Sequence, residues 1–145
     1  MKKSFKLLCL LVIIIIILTL TGCKKRYYDD NVLSNDIASI EILKFAYSES
    51  VVDAESIRTL NDEEMELLLL DLSTIKFKWM IGMELPYLGE YGIKFISEDG
   101  SYQIVTHSSS FNYNNIGERT STKRWFCSEE EFNNLVLKHI ETADE

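Results

Sequence analysis

The feature that most constrains this chain is an apolar run near its start. Residues 7–20 read Leu-Leu-Cys-Leu-Leu-Val-Ile-Ile-Ile-Ile-Ile-Leu-Thr-Leu, preceded by Lys2, Lys3 and Lys6 and by no acid. Nothing so apolar can remain in water. The run has to enter a membrane, be buried, or be removed. As a helix its 14 residues reach roughly 21 Å at ~1.5 Å per residue. A bilayer core of ~30 Å asks for about 20 apolar residues. A short basic segment followed by an apolar stretch of this length is the pattern of an export signal. Flanking charge does not separate the signal from a membrane helix, because Lys24, Lys25 and Arg26 on the far side balance the three lysines.

The end of the run discriminates better. Leu20-Thr21-Gly22-Cys23 resembles the lipobox of bacterial lipoproteins: Leu, a small or hydroxylated residue, Gly or Ala, then Cys. The resemblance implies diacylglyceryl transfer to the Cys23 thiol and cleavage between Gly22 and Cys23. It covers only the first 23 residues. Two acyl chains on one residue make a stable anchor, whereas a single chain binds marginally. Lys24, Lys25 and Arg26 would then lie at the headgroups. Beyond the lipobox, the chain is similar to small lipoproteins of Gram-positive bacteria in general character alone.

Three segments follow: a signal peptide over 1–22, a lipidated tether over 23–36, and a single domain over 37–145. Removing 22 of 145 residues leaves 123, enough for one domain with its own core. The mature chain holds 12 basic and 23 acidic residues, a net charge of −11, and from Tyr27 onward the net charge is −14. Such a surface repels nucleic acid and anionic lipid. Cys127 is the one cysteine left after Cys9 departs with the signal and Cys23 takes lipid, so no intramolecular disulfide is available.

Along the domain, alternating β-friendly residues predict strands over 39–47, 51–59 and 74–81. In the last of these, Ile75, Phe77 and Trp79 share one face. Asn61 with Glu64, and Ser128 with Glu131, have capping-box spacing. They predict helices over about 61–72 and from 128 onward. In the second, Phe132, Leu135, Val136 and Ile140 form an apolar stripe. Asp99-Gly100 predicts a two-residue type I′ hairpin. That register sets Glu98 opposite Ser101 and Phe95 opposite Ile104, and puts Tyr91, Ile93, Phe95, Tyr102 and Ile104 on one face. Residues 108–115 read as a polar loop with aromatics, and 123–127 as a last short strand. The sum is an α+β chain: a two-layer sandwich, mostly antiparallel sheet with two helices on one face.

Chemistry-bearing patterns are sparse. His107 and His139 lie at metal-ligand spacing neither from each other nor from Cys127, and HExxH, CxxC, Walker A and GxGxxG are absent. No metal or cofactor is expected. His107-Ser108-Ser109-Ser110 sets an acid/base side chain beside hydroxyls, but triads are made by geometry rather than adjacency. His139 falls in the last turn of a helix, where a cation is favoured. Cys127 stands before a helix N-terminus, which activates thiols, and at a staple position facing Phe132, which predicts burial. Apolar and aromatic side chains outside the expected core, namely Trp79, Met83, Leu85, Tyr87, Phe111 and Tyr113, are the candidate partner contacts. The expectation is a membrane-anchored extracytoplasmic lipoprotein whose domain is a non-enzymatic binding module, with a small envelope-acting hydrolase as the alternative.

Overall fold

The computed structural model describes residues 26–27, 37–46, 54–79 and 87–141. The anchor residues Gly22 and Cys23, the tether apart from Arg26 and Tyr27, and Met83 and Leu85 lie outside them.

The fold is α+β. Eight strands, β1 (Arg26–Tyr27), β2 (Ile37–Phe45), β3 (Ala54–Thr59), β4 (Lys76–Trp79), β5 (Tyr91–Ser97), β6 (Tyr102–Val105), β7 (Ser109–Tyr113) and β8 (Arg119–Phe126), form one sheet. The order is β1-β4-β8-β7-β6-β5-β2-β3, and every pairing is antiparallel. The six strands from β8 to β3 make its body, and β4 and β1 extend it by two-residue ladders. Helices α1 (Asp62–Thr74) and α2 (Glu129–Glu141) complete the element order.

Topology dictates where α1 runs. It joins β3, at one edge, to β4, six strand spacings away, about 29 Å at ~4.8 Å per spacing. Its 13 residues span about 20 Å, and the short links at each end supply the remainder, so α1 crosses the strands. Both halves of its capping box are present. Asn61 Oδ1 accepts from Glu64 N–H at 3.0 Å, and Glu64 Oε2 accepts from Asn61 N–H at 2.9 Å. In α2, Phe132, Leu135, Val136 and His139 face inward. Ser128 Oγ accepts from Glu131 N–H at 3.3 Å.

The main core lies between the helices and the sheet. Leu68 and Leu72 of α1 and Phe132, Leu135 and Val136 of α2 meet Ile40, Ile42, Ile75, Phe77, Ile93, Phe95 and Val105. Ile75 and Phe77 are buried as the alternation predicts; the Trp79 side chain lies outside the described ones. A second, smaller cluster occupies the opposite face: Leu43, Phe45, Leu88, Ile104 and Phe111, with Tyr102 and Tyr113 packed against it. Gly92 admits it, since a Cβ there would come within 2.7 Å of the Phe45 ring.

Two sequence expectations fail for physical reasons. Gly100 N–H donates to Ser97 O at 2.9 Å, Ser97 N–H donates to Ser101 O at 2.8 Å, and Gly100 takes φ 82°. This is a three-residue loop, a turn closed by a left-handed glycine, and not a two-residue type I′ turn. The Asp99 carboxylate supports it by accepting from Ser101 N–H at 2.8 Å and from Ser101 Oγ at 2.6 Å. The register therefore slips by one, pairing Ile93 with Val105 and Phe95 with Gln103. One slip exchanges faces: Tyr102 and Ile104 join the second cluster, while Gln103 and Val105 share the face of Ile93 and Phe95. The other failure is the polar loop. Residues 109–113 form β7, paired to β6 on one side and β8 on the other. Ladder bonds on both edges outweigh the weak strand preference of Ser and Asn.

Candidate functional site

The N-terminal end of α2 meets the ends of β4, β6 and β8, and polar chemistry collects there. His107 follows β6 and is only 5% exposed. Its ring packs edge-on against Tyr87, with centroids 6.0 Å apart, and against Phe126, at 6.3 Å. Both of those rings are open to solvent on their other sides. The imidazole Nδ1 is buried without a hydrogen-bond partner. Burial pushes the His107 pKa below its ordinary 6.5, and the opposing pull of the Glu129 carboxylate and of the Leu88 backbone does not offset it.

Gly89 makes this packing feasible. Its φ is +81°, and a Cβ would stand 2.8 Å from His107 Nδ1 and 3.2 Å from Glu129 Oε1. Backbone bonds fix the surroundings, with Cys127 N–H donating to His107 O at 2.8 Å. The neighbouring hydroxyls are committed elsewhere. Ser108 Oγ donates to Tyr87 O at 2.6 Å, Ser109 Oγ donates to Ser108 O at 2.8 Å, and Ser110 Oγ accepts from Gln103 Nε2 at 3.1 Å. None of these three hydroxyls is hydrogen-bonded to His107.

Beside this corner opens a groove of about 830 Å³, lined by Lys76 and Lys78 of β4, by Phe126 and Cys127, and by residues 128–131 and Asn133 of α2. Asn133 Oδ1 is buried and unpartnered. Cys127 is 3% exposed. Burial first, and the Glu131 charge second, push its thiol up to about 12, so the activating helix terminus is overridden. Among the described residues, no group of three or more His, Cys, Asp or Glu is arranged to hold a metal ion.

The candidate contact residues do not converge. Tyr87 stands at the His107 corner, 54% exposed. Phe111, expected in an exposed loop, is 5% exposed and packs in the second cluster; its ring is not available for contact because β7 turns it inward. Tyr113 stacks on Tyr102 at 4.6 Å near the far end of β7. Lys94 sits 5.1 Å over that Tyr102 ring while pairing with Glu41 at 3.0 Å. Phe126, which sequence reasoning placed in a strand without a role, is 44% exposed at the groove. The alternation of β8 could have flagged it, since Cys127 beside it is buried.

His139, at the other end of α2, is held structurally. Its Nε2 lies 2.8 Å from Asp71 Oδ2, which Lys138 Nζ also approaches at 2.7 Å. No known protein family, curated protein or solved structure matches the chain.

Proposed function

We propose that this chain is a bacterial lipoprotein held on the extracytoplasmic face of the cell membrane by lipid on Cys23, and that its domain is a non-enzymatic binding module. The observation that carries the anchor is Leu20-Thr21-Gly22-Cys23 at the end of a 14-residue apolar run, too short to span a bilayer comfortably. The binding reading draws support from the groove at the start of α2. Its mouth presents the exposed Phe126, with Tyr87 on the other side of His107. Aromatic rings beside a concave surface are a common basis for recognition. The hydrolase alternative has less behind it, because the hydroxyls at 108, 109 and 110 are each bonded away from His107.

Metabolic labelling with an alkyne fatty acid tests the anchor. The wild-type chain takes up label and Cys23→Ala does not; undiminished label in the variant removes the lipoprotein reading. For the module, Phe126→Ala is compared with the wild type in recovery of a partner from detergent-solubilised membranes. A partner that is lost with Phe126 supports the groove, and one retained in full places recognition elsewhere.

A further inference from the structure

The His107 corner is built like a catch. The short segment 87–89 is held against the β6–β7 corner by a hydrogen bond and by close packing. Ser108 Oγ donates to Tyr87 O at 2.6 Å, and Gly89 stands so close to the His107 ring that a Cβ there would come within 2.8 Å of Nδ1. Leu88 itself is 2% exposed within the second cluster. Tyr87 covers one side of the imidazole and Phe126 another. The ring nitrogen Nδ1 faces Gly89 with no hydrogen-bond partner.

A bare imidazole nitrogen between two aromatic rings is tolerable while it is neutral. A proton on it creates a charged donor in a place walled mainly by carbon. We propose that His107 is an acid-sensitive latch: neutral, it holds segment 87–89 closed over the corner, and protonated, it releases that segment and uncovers the faces of Tyr87 and Phe126 next to the groove. The inference does not depend on what the groove binds.

The groups facing His107 set the direction. From α2 comes Glu129, whose carboxylate favours the imidazolium. From the 87–90 segment comes the Tyr87 ring, while Glu90 is turned to Lys44 at 3.3 Å. From the β8–α2 junction comes Cys127, whose thiol stays protonated. Burial outweighs the two groups that favour the charge, the Glu129 carboxylate first and the Leu88 backbone second. A histidine whose pKa is depressed in the closed state contributes stability above its unfolded value of 6.5, and that stability is lost as pH falls through the closed-state value.

Hydrogen exchange of peptides covering 87–89, measured on the full chain in detergent micelles between pH 7.5 and 4.5 and corrected for intrinsic rates, tests the latch. Protection of the segment falls severalfold as His107 titrates, while peptides in the α1–α2 core keep theirs. His107→Phe fills the same space without a titrating group, and its segment stays protected throughout. Glu129→Gln removes the stabilising carboxylate, so the His107 ring resonance, followed by NMR, titrates at lower pH than in the wild type. The inference is overturned if wild-type protection at 87–89 is unchanged across this range, or if the loss persists in His107→Phe. Should His107→Phe fail to fold, the wild-type exchange profile and the Glu129→Gln shift decide alone, and an unmoved His107 titration in Glu129→Gln counts against the geometry.

Discussion

The two ends of α2 each bury a histidine beside an acid, and they treat it differently. At the C-terminal end His139 is 4% exposed and meets the Asp71 carboxylate of α1, which Lys138 also reaches. Arg58 of β3 donates to the carbonyls of His139 and Ile140, closing the helix end, and pairs with Glu64 of the α1 capping box. A cation at a helix C-terminus is favourable, so one guanidinium ties the start of α1 to the finish of α2. At the N-terminal end His107 Nδ1 and Asn133 Oδ1 are buried with no partner. Buried polar atoms without partners are few in native proteins. Here two lie at one end of one helix, beside the groove. The comparison separates a joint made for stability from a corner whose polar groups are left unmet.

The largest way to break the N-terminal corner is Gly89→Ala. A left-handed backbone costs an L-residue about 1–2 kcal/mol, and displacing the His107 ring adds ~1–3 kcal/mol of overpacking. The expected loss is about 2–5 kcal/mol in urea unfolding. Gly117→Ala is the control. Its φ is +82° as well, but the nearest atom to a new Cβ is 3.9 Å away, so it carries the backbone cost alone. Equal losses in the two variants would mean that the corner is not tightly packed.

That corner was the least legible part in the sequence, and the joint was half legible. Asn61 with Glu64 and Ser128 with Glu131 mark helix starts because capping needs particular side chains three residues apart. The stripe from Phe132 to Val136 marks an inner face for a similarly local reason. The hairpin register was beyond such reasoning, since Asp99-Gly100 suits either a two-residue turn or a longer loop with Gly100 left-handed. The strand β7 was hidden because Ser-Ser-Phe-Asn-Tyr owes its conformation to neighbours on both edges. At the site, adjacency points to the serines after His107, whereas folding sets Gly89, distant along the chain, between the His107 ring and the Glu129 carboxylate. Only the burial of Cys127 followed from a local rule, its staple position before α2.

Asp71→Asn probes the joint with a smaller effect. Burial alone would raise the Asp71 pKa, but hydrogen bonds from Lys138 and His139, with their charges, outweigh it and hold the carboxyl below its ordinary 3.8. A depressed acid stabilises the fold above its unfolded value, and that contribution is lost as pH falls through the folded one. The pair is partly exposed, so solvent screening discounts it. The expected loss at neutral pH is about 1–2 kcal/mol. Urea midpoints between pH 5 and 2 should fall less steeply in the variant than in the wild type. An identical slope would show that Asp71 contributes nothing through its charge, and the contrast between the two ends of α2 would shrink to packing.

The smallest effect is on Cys127, and it reports on the corner without perturbing it. With the thiol pushed up to about 12, the reactive thiolate is about one part in ten thousand at pH 8. Iodoacetamide should therefore label Cys127 far more slowly in the folded chain than in urea, as read by mass spectrometry of its peptide. The backbone of Cys127 is bonded to His107, so whatever loosens that corner should speed the labelling. Gly89→Ala is expected to raise the rate. Asp71→Asn, at the opposite end of the helix, is expected to leave it unchanged. If both variants accelerate labelling equally, α2 responds as one rigid unit and its two ends are not energetically separate. If neither does, the thiol is shielded by packing around Phe132 rather than by the closure at His107.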